Sequence, residues 1–408
     1  MSTATKNPLY HPNVILAAAC GIAILILGPR SALGLFTDPI SNAHGWGRDV
    51  FALAIGIQHL VWGLAQPAAG ALADRFGCRR VIMIGASAYA LGFALMPFGT
   101  TPLGFQMTAG VLVGFALAGT GFPIVVAALG RLMPPERRSI ALGVATAAGS
   151  VGQFLFAPIG QHFISTYGWP VALWFMAAAV LAVLVLAIPF GADRAHPDGR
   201  TENGLGFFAA LGSAFSYRSY VLLVAGFFVC GFHVSFIMVH FPPYLGDIGV
   251  SPSLAAWALG IIGLFNIVGA FAAGYFGGHY SKRYLLSAIY AARAVAIVAF
   301  LLSAKSDIAV VLFAAALGLL WLSTVPLTSG LVAVMFGTRY LGTLFGFVFM
   351  SHQAGAFLGV WLGGALFEAT GSYDSMWWLG IALSLAATAL HWPIVEDRAP
   401  RFADPVHA

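Results

Sequence analysis

Charge is the scarce ingredient of this sequence. Of its 408 residues only 8% are Asp, Glu, Lys or Arg, against about 25% in an ordinary soluble domain, too few to cover a water-soluble fold of this size. Cysteine is scarce as well: Cys20, Cys78 and Cys230 lie far apart without CxxC spacing, so neither a disulfide framework nor a zinc site is indicated. A Walker loop, an HExxH pair and any cluster of His with carboxylates are all missing. ATP hydrolysis and metal-assisted catalysis are therefore not expected, and the chain reads as a non-enzyme without cofactor or metal. What abounds is apolar: 60% of the residues are hydrophobic, in recurrent runs near the ~20 residues that cross a bilayer core as a helix. The expected fold class is an all-α membrane protein.

Apolar runs set against charged or Pro/Gly-rich breaks predict twelve spans, at 13–38, 50–73, 81–99, 103–131, 139–163, 170–190, 218–245, 253–277, 284–303, 308–335, 341–366 and 375–394. The first run, "NVILAAAC", continues past Cys20 and reads as a retained helix rather than a leader. The longest break, 191–217, carries charges, Pro and Gly, then an apolar patch; it predicts a linker, part of it an amphipathic helix on the membrane surface.

The net charge of +5 marks orientation, not a nucleic-acid partner. With the N-terminus placed in the cytoplasm, one face collects Lys6, Arg75, Arg79, Arg80, Arg131, Arg137, Arg138, Arg194, Arg200, Arg218, Lys282, Arg283, Arg339, Arg398 and Arg401, while the other keeps Arg48 and Lys305. Fifteen against two satisfies the positive-inside rule, and an even span number returns the C-terminus to the cytoplasm. The expected location is the cell (inner) membrane, as a monomer in the lipid bilayer.

A shift of 203 or 204 residues superposes landmarks: Pro39 on Pro243, Gly70 on Gly274, Gly114 on Gly318, Pro123 on Pro326, Gly143 on Gly346, Gly152 on Gly355, Gly160 on Gly363, Thr166 on Thr370 and Trp174 on Trp378. The chain is thus expected to hold two six-helix bundles in parallel repeat, 1–190 and 218–408, a plan that places substrate near the bilayer midplane between them.

The loop after the second span reads "GALADRFGCRR", Gly70 to Arg80. It resembles the cytoplasmic signature of the major facilitator superfamily, and topology and sidedness agree over nearly the whole chain. The resemblance implies an inner gate in which Asp74, with Arg75, Arg79 and Arg80 beside it, latches onto the other bundle. The second-half equivalent, "GYFGGHYSKR", puts Gly278 where the acid would fall, so the latch is expected to be one-sided. In the fifth span Gly143, Gly149, Gly152 and Gly160 allow close helix approach.

Two basic residues fall within spans, Arg30 and Arg293, and no acid sits deep in any span. A charge at that depth costs about 2.5–3.5 kcal/mol even on the lenient insertion scale, so Arg30 is expected to face protein or a water-filled cavity. Without an internal counter-ion, its expected partner is an anion gripped by paired guanidinium bonds. "GPRSALGLFTDPI" is also similar to the first helix of monocarboxylate transporters and their oxalate/formate-exchanger relatives, with Arg30 where those proteins carry a substrate-binding Lys. "SHQAGAFLG" and "RLMPPERRSIALG" resemble the same branch. Two features depart: no acidic-Gly-Trp signature precedes the first span, and "LFNIVGAFAAG" lacks the Asp and Arg pair of the eukaryotic transporters.

The expected function is secondary transport of a small organic anion, a monocarboxylate, by alternating access with proton symport or anion exchange. An exporter of drugs or metabolites on the same fold, or a membrane sensor or enzyme, stand as alternatives. His59, His233 and His352 lie inside spans and are the candidate proton carriers. The repeat puts His233 within one residue of the counterpart of Arg30, so the two are expected to face each other across the cavity. Gln58, Asn266, Trp321, Gln353 and Arg293 complete the expected substrate site, with helix–helix hydrogen bonds as the alternative role for the polar ones.

Overall fold

The computed structural model describes residues 8–120, 122–192, 207–337 and 341–402. Twelve long helical stretches run through them: α1 Pro12–Ser31, prolonged by a 3-10 turn Leu33–Phe36 and the segment Thr37–His44; α2 Arg48–Phe76; α3 Cys78–Leu95; α4 in four pieces, Pro102–Phe105, Gln106–Leu112, Val113–Thr120 and Phe122–Leu132; α5 Pro135–Tyr167; α6 Trp169–Leu181, continued by Val183–Leu186 and the 3-10 turn Ile188–Ala192; α7 Arg218–Asp247; α8 Pro252–His279; α9 Lys282–Leu302; α10 in two pieces, Asp307–Leu320 and Thr324–Phe336; α11 Leu341–Thr370; and α12 Asp374–His391. Eleven are long and apolar enough to cross a bilayer; α12 bears Asp374, His391 and two Trp in its 18 residues. Within the expected linker, Phe207–Phe215 is helical, and 193–206 lie outside the described residues. So do the charges at Lys6, Asp193, Arg194, Asp198, Arg200, Glu202, Arg339 and Asp404.

Local chemistry sets the helix ends. Pro occupies the first turn of α1 and of α8, where its missing N–H costs nothing. Ser251 and Ser306 accept the backbone N–H of Leu254 and Ala309, each at 3.3 Å. Gly77 joins α2 to α3 at φ 87°, a conformation that strains any residue with a Cβ.

The two sets of six helices repeat one packing scheme. Contacts pair α1 with α5 as they pair α7 with α11, α3 with α6 as α9 with α12, and α8 with α10 as α2 with α4. Glycines set these approaches at matching positions: Gly152 lies on the backbone of Ile24 in α1, and its repeat mate Gly355 on that of Phe228 in α7. Likewise a Cβ on Gly114 would meet the Gln58 carbonyl at 2.9 Å, and one on Gly318 the Ile262 carbonyl at 2.7 Å. These two repeated pairs therefore mark places where backbones touch.

Between the sets, α2 meets α11 and α5 meets α8. Call the membrane face bearing Arg48, Asp247 and Asp374 distal, and the face bearing Pro12 and His391 basal. The sets close on each other distally: Gly34 abuts the Met238 backbone, and a Cβ on Gly364 would lie 2.9 Å from the Asp49 Cα. Towards the basal face Gly70, Gly143, Gly274 and Gly346 have no neighbour among the described residues within 4 Å of a Cβ position.

Candidate functional site

Arg30 stands in the last turn of α1, roughly 27 Å along its axis from Pro12 at 1.5 Å per residue. Pro29 just before it removes one backbone donor, and Ser31 Oγ donates to the Gly28 carbonyl at 2.6 Å. The helix then tightens into the 3-10 turn. The guanidinium does not run out to headgroups. Its Nη2 is 3.1 Å from His59 Nε2, its Nη1 is 4.0 Å from Met238 Sδ of α7, and its Cζ lies 4.9 Å from the Trp62 ring centroid. A charged hydrogen bond contributes about 1.5–3 kcal/mol and a desolvated cation–π contact about 2, enough to offset the insertion cost without neutralising the charge. No acid pairs with Arg30 among the described residues, and its buried Nε has no acceptor there.

His59 lies in α2 eleven residues from Arg48, about 17 Å below the distal face. Because Arg can only donate, His59 Nε2 must be the acceptor and the ring is neutral, with its proton on Nδ1. Nδ1 is 3.3 Å from Gln353 Oε1 of α11, and His352 Nδ1 is 3.2 Å from the same oxygen. Gln353 Nε2 is buried without a partner among the described residues. Four expected site residues thus converge, Arg30, His59, His352 and Gln353, and they span both sets of helices. Trp62 joins them, oriented by its Nε1–H to Gln66 Oε1 at 2.9 Å.

Other expected site residues are elsewhere. His233 does not face Arg30: its Nε2 is 2.8 Å from the Gly380 carbonyl and 3.4 Å from Ser384 Oγ, both in α12. A buried ring N–H needs an acceptor, and α12 offers one where the repeat mate of Arg30 would have had to cross between the sets; Met238, further along α7, meets Arg30 instead. Gln58 turns into its own set and donates to the Ala109 carbonyl at 2.8 Å. That carbonyl lies in the wide π-turn Gln106–Leu112 of α4.

Asn266, Trp321 and Arg293 belong to the break in α10. Asn266 accepts the Leu322 N–H at 2.9 Å and donates to Ser150 Oγ at 2.8 Å. Arg293 donates to the Leu320 carbonyl at 2.6 Å and also to that of Trp321, satisfying orphan carbonyls at the end of a half-helix. Trp321 itself is 1% exposed.

The gate residues also depart from expectation. The described partner of Asp74 is Arg131, at 3.3 Å and within the same set; Arg75 lies over Phe76, and Arg79 beside Gly191. Arg80 is exposed. Among the described residues the ion pair that bridges the sets, Arg48 with Asp247, is on the other face. Arg48 grips Asp38 through Nε at 2.8 Å and Asp247 through Nη1 at 2.6 Å and Nη2 at 2.8 Å. Its backbone N–H donates to Glu368 at 2.7 Å, and its Cζ is 4.2 Å from the Phe367 ring centroid. Sequence reading placed Arg48 on that face and gave it no role; being one of two basic residues there was the available signal. Trp62 could have been found by its three-residue spacing from His59, which sets both on one helix face.

The family model described as Major Facilitator Superfamily matches residues 18–359 and 223–407. The uncharacterized MFS-type transporter YcxA of Bacillus subtilis (strain 168) is 25% identical over 84% of this chain and 85% of its own. Monocarboxylate transporter 13 of Rattus norvegicus is 26% identical over 92% of this chain and 87% of its own. Among solved structures, a bacterial homologue of the human lysosomal transporter Spinster, inward-facing and occupied, aligns with a TM-score of 0.74 at 14% identity over 96% of this chain and 98% of that one. A D-xylose-proton symporter aligns at 0.73 and 14% identity over 94% and 98%.

Proposed function

Since the chain belongs to the Major Facilitator Superfamily, we propose that it is a secondary transporter of a small organic anion, a monocarboxylate, with Arg30 as the cation that receives it. Transport proceeds by alternating access, as proton symport or anion exchange. The two bundles, 1–190 and 218–408, rock about the midplane while 191–217 links them. The excess of Lys and Arg on the basal face makes that face cytoplasmic, and the Asp74 loop belongs to its gate.

The observation that carries the reading is the state of Arg30: a guanidinium between the two sets, held by His59, Trp62 and Met238, all neutral, with a buried Nε that lacks an acceptor. Such a group attracts a carboxylate and can hold it by two parallel N–H···O bonds. Gln353 Nε2, the other unpartnered donor beside His59, offers a third bond. A cationic cargo would find no carboxylate at this depth among the described residues. The relatives named monocarboxylate transporters favour the same cargo.

The test is counterflow in proteoliposomes with labelled lactate, pyruvate and longer monocarboxylates. Wild-type protein is expected to exchange at least one of them, and Arg30→Gln to lose exchange while still eluting as folded protein. Undiminished exchange by Arg30→Gln sinks the assignment.

A further inference from the structure

The bond between Arg30 and His59 does more than steady a buried charge. Nη2 occupies the lone pair of His59 Nε2 at 3.1 Å, the one atom through which the ring could gain a proton, since Nδ1–H is committed to Gln353 Oε1 at 3.3 Å. A guanidinium cannot donate to an imidazolium. Hence His59 can titrate only after Arg30 has turned that donor elsewhere.

Resting on the anion reading above, we propose that His59 is the proton acceptor of the transport cycle, released to titrate when a carboxylate takes over the Arg30 donor that covers its Nε2. The carboxylate accepts Nη2–H and the otherwise unpartnered Nε–H, and the Nη2···Nε2 bond opens. One proton from water then bonds to Nε2, while Nδ1–H stays on Gln353. The pair carries one positive charge before binding; with one anion and one proton added it still carries one. Unloading runs in reverse: the donor cannot return to Nε2 until the proton has gone, so anion and proton leave together. The mode is symport, not obligatory anion exchange.

Among the described residues the one other titratable acceptor beside His59 is His352. The charged or titratable groups facing His59 are Arg30 from α1 and His352 from α11, and His352 reaches it through the shared Gln353 oxygen. From α7 the neighbour is Met238, bound to the same guanidinium. The stretch of α4 against α2, Gln106–Thr120, holds no charged or titratable residue. His59 is 2% exposed, and the donor seated on its Nε2 is Arg30.

Wild-type, His59→Gln and His352→Gln proteins are reconstituted with a trapped pH dye, with lactate and pyruvate as probes. Counterflow and lumenal acidification above that of protein-free vesicles are recorded together. Wild type is expected to show both, and His352→Gln to acidify in proportion to whatever counterflow it retains. His59→Gln, whose amide oxygen still accepts from Arg30, is expected to keep counterflow and lose acidification.

In wild type the apparent Kd for lactate is expected to rise about tenfold per pH unit above the titration of the loaded site, by linkage, and to be flat in His59→Gln. Wild type without counterflow for any probe overturns the anion reading on which this rests. Counterflow with acidification retained in His59→Gln overturns the His59 assignment alone. Should that variant misfold, a wild-type Kd unchanged from pH 5 to pH 9 overturns it in the same way.

Discussion

Arg48 serves two carboxylates that differ in one respect. Asp38 is on its own set of helices and Asp247 on the other, so only the second bond must break when the distal face opens. Asp247 is 37% exposed against 12% for Arg48, and a pair so placed is worth about 1 kcal/mol after screening. The contact with Phe367 of α11 adds about 0.5–1. Arg48→Gln therefore removes about 1.5–2 kcal/mol from the distally closed form, a shift of roughly ten- to thirtyfold in the opening equilibrium. Glu368 binds the backbone N–H of residue 48 and is untouched by the substitution.

Spin labels at Ala43→Cys and Gly246→Cys, both at exposed positions on the distal face, report the separation of α1 and α7 by pulsed dipolar spectroscopy in a Cys20→Ala background. The long-distance population is expected to rise by that factor in Arg48→Gln, and about fivefold in Asp247→Asn, the equivalent of about 1 kcal/mol. Asp38→Asn, which removes a bond inside one set and leaves Asp247 to Arg48, is expected not to move the population towards opening. If Arg48→Gln leaves the distribution unchanged, or Asp38→Asn opens the face as far as Asp247→Asn does, the bridge is not a latch.

Two other outcomes are expected. Arg293→Met strands the buried carbonyls of Leu320 and Trp321 and should cost about 2–4 kcal/mol, read as a lower melting temperature, with lactate counterflow kept by the folded fraction; unchanged melting with counterflow lost would make Arg293 a substrate cation instead. At the C-terminal side of the chain, burial pushes the Glu396 carboxyl up, but the hydrogen bonds from the Arg283 backbone N–H at 2.7 Å and Ser281 Oγ at 2.5 Å outweigh it and hold the group below its ordinary 4.5. A depressed folded value gives stability that is complete above 4.5 and lost as pH falls through the folded value. Wild type should therefore lose melting temperature on acidification below that point more steeply than Glu396→Gln; parallel curves would remove the carboxylate from the account.

The parts of the fold legible in the sequence were those that rest on local or repeating signals. Apolar length gave the spans, and glycine register gave helix pairs, because Gly152 and Gly355 or Gly114 and Gly318 sit where two backbones touch. Less legible was the direction in which a polar side chain turns around its helix. His233 is within one residue of the mate of Arg30 but finds its acceptor in α12; a repeat constrains backbone position to a residue, while facing changes by about 100° with each residue. Gln58 and Asn266 were drawn off by carbonyls and N–H groups that exist only because α4 and α10 are broken, and those breaks carry no strong sequence mark. The mutual contacts of Arg30, His59 and His352 through Gln353 had a signal in the sequence, because a charge or a titratable ring deep in an apolar run needs partners wherever it points.

The coil change that follows Arg30 has a mechanical consequence. A 3-10 turn advances about 2.0 Å per residue and an α-turn about 1.5 Å, so rewinding the four residues Leu33–Phe36 would retract the outer segment Thr37–His44 by about 2 Å while the inner rod up to Arg30 stayed put. The first helix thus carries a telescoping joint: such rewinding would shift its tip, with Asp38, along the helix axis relative to Arg30.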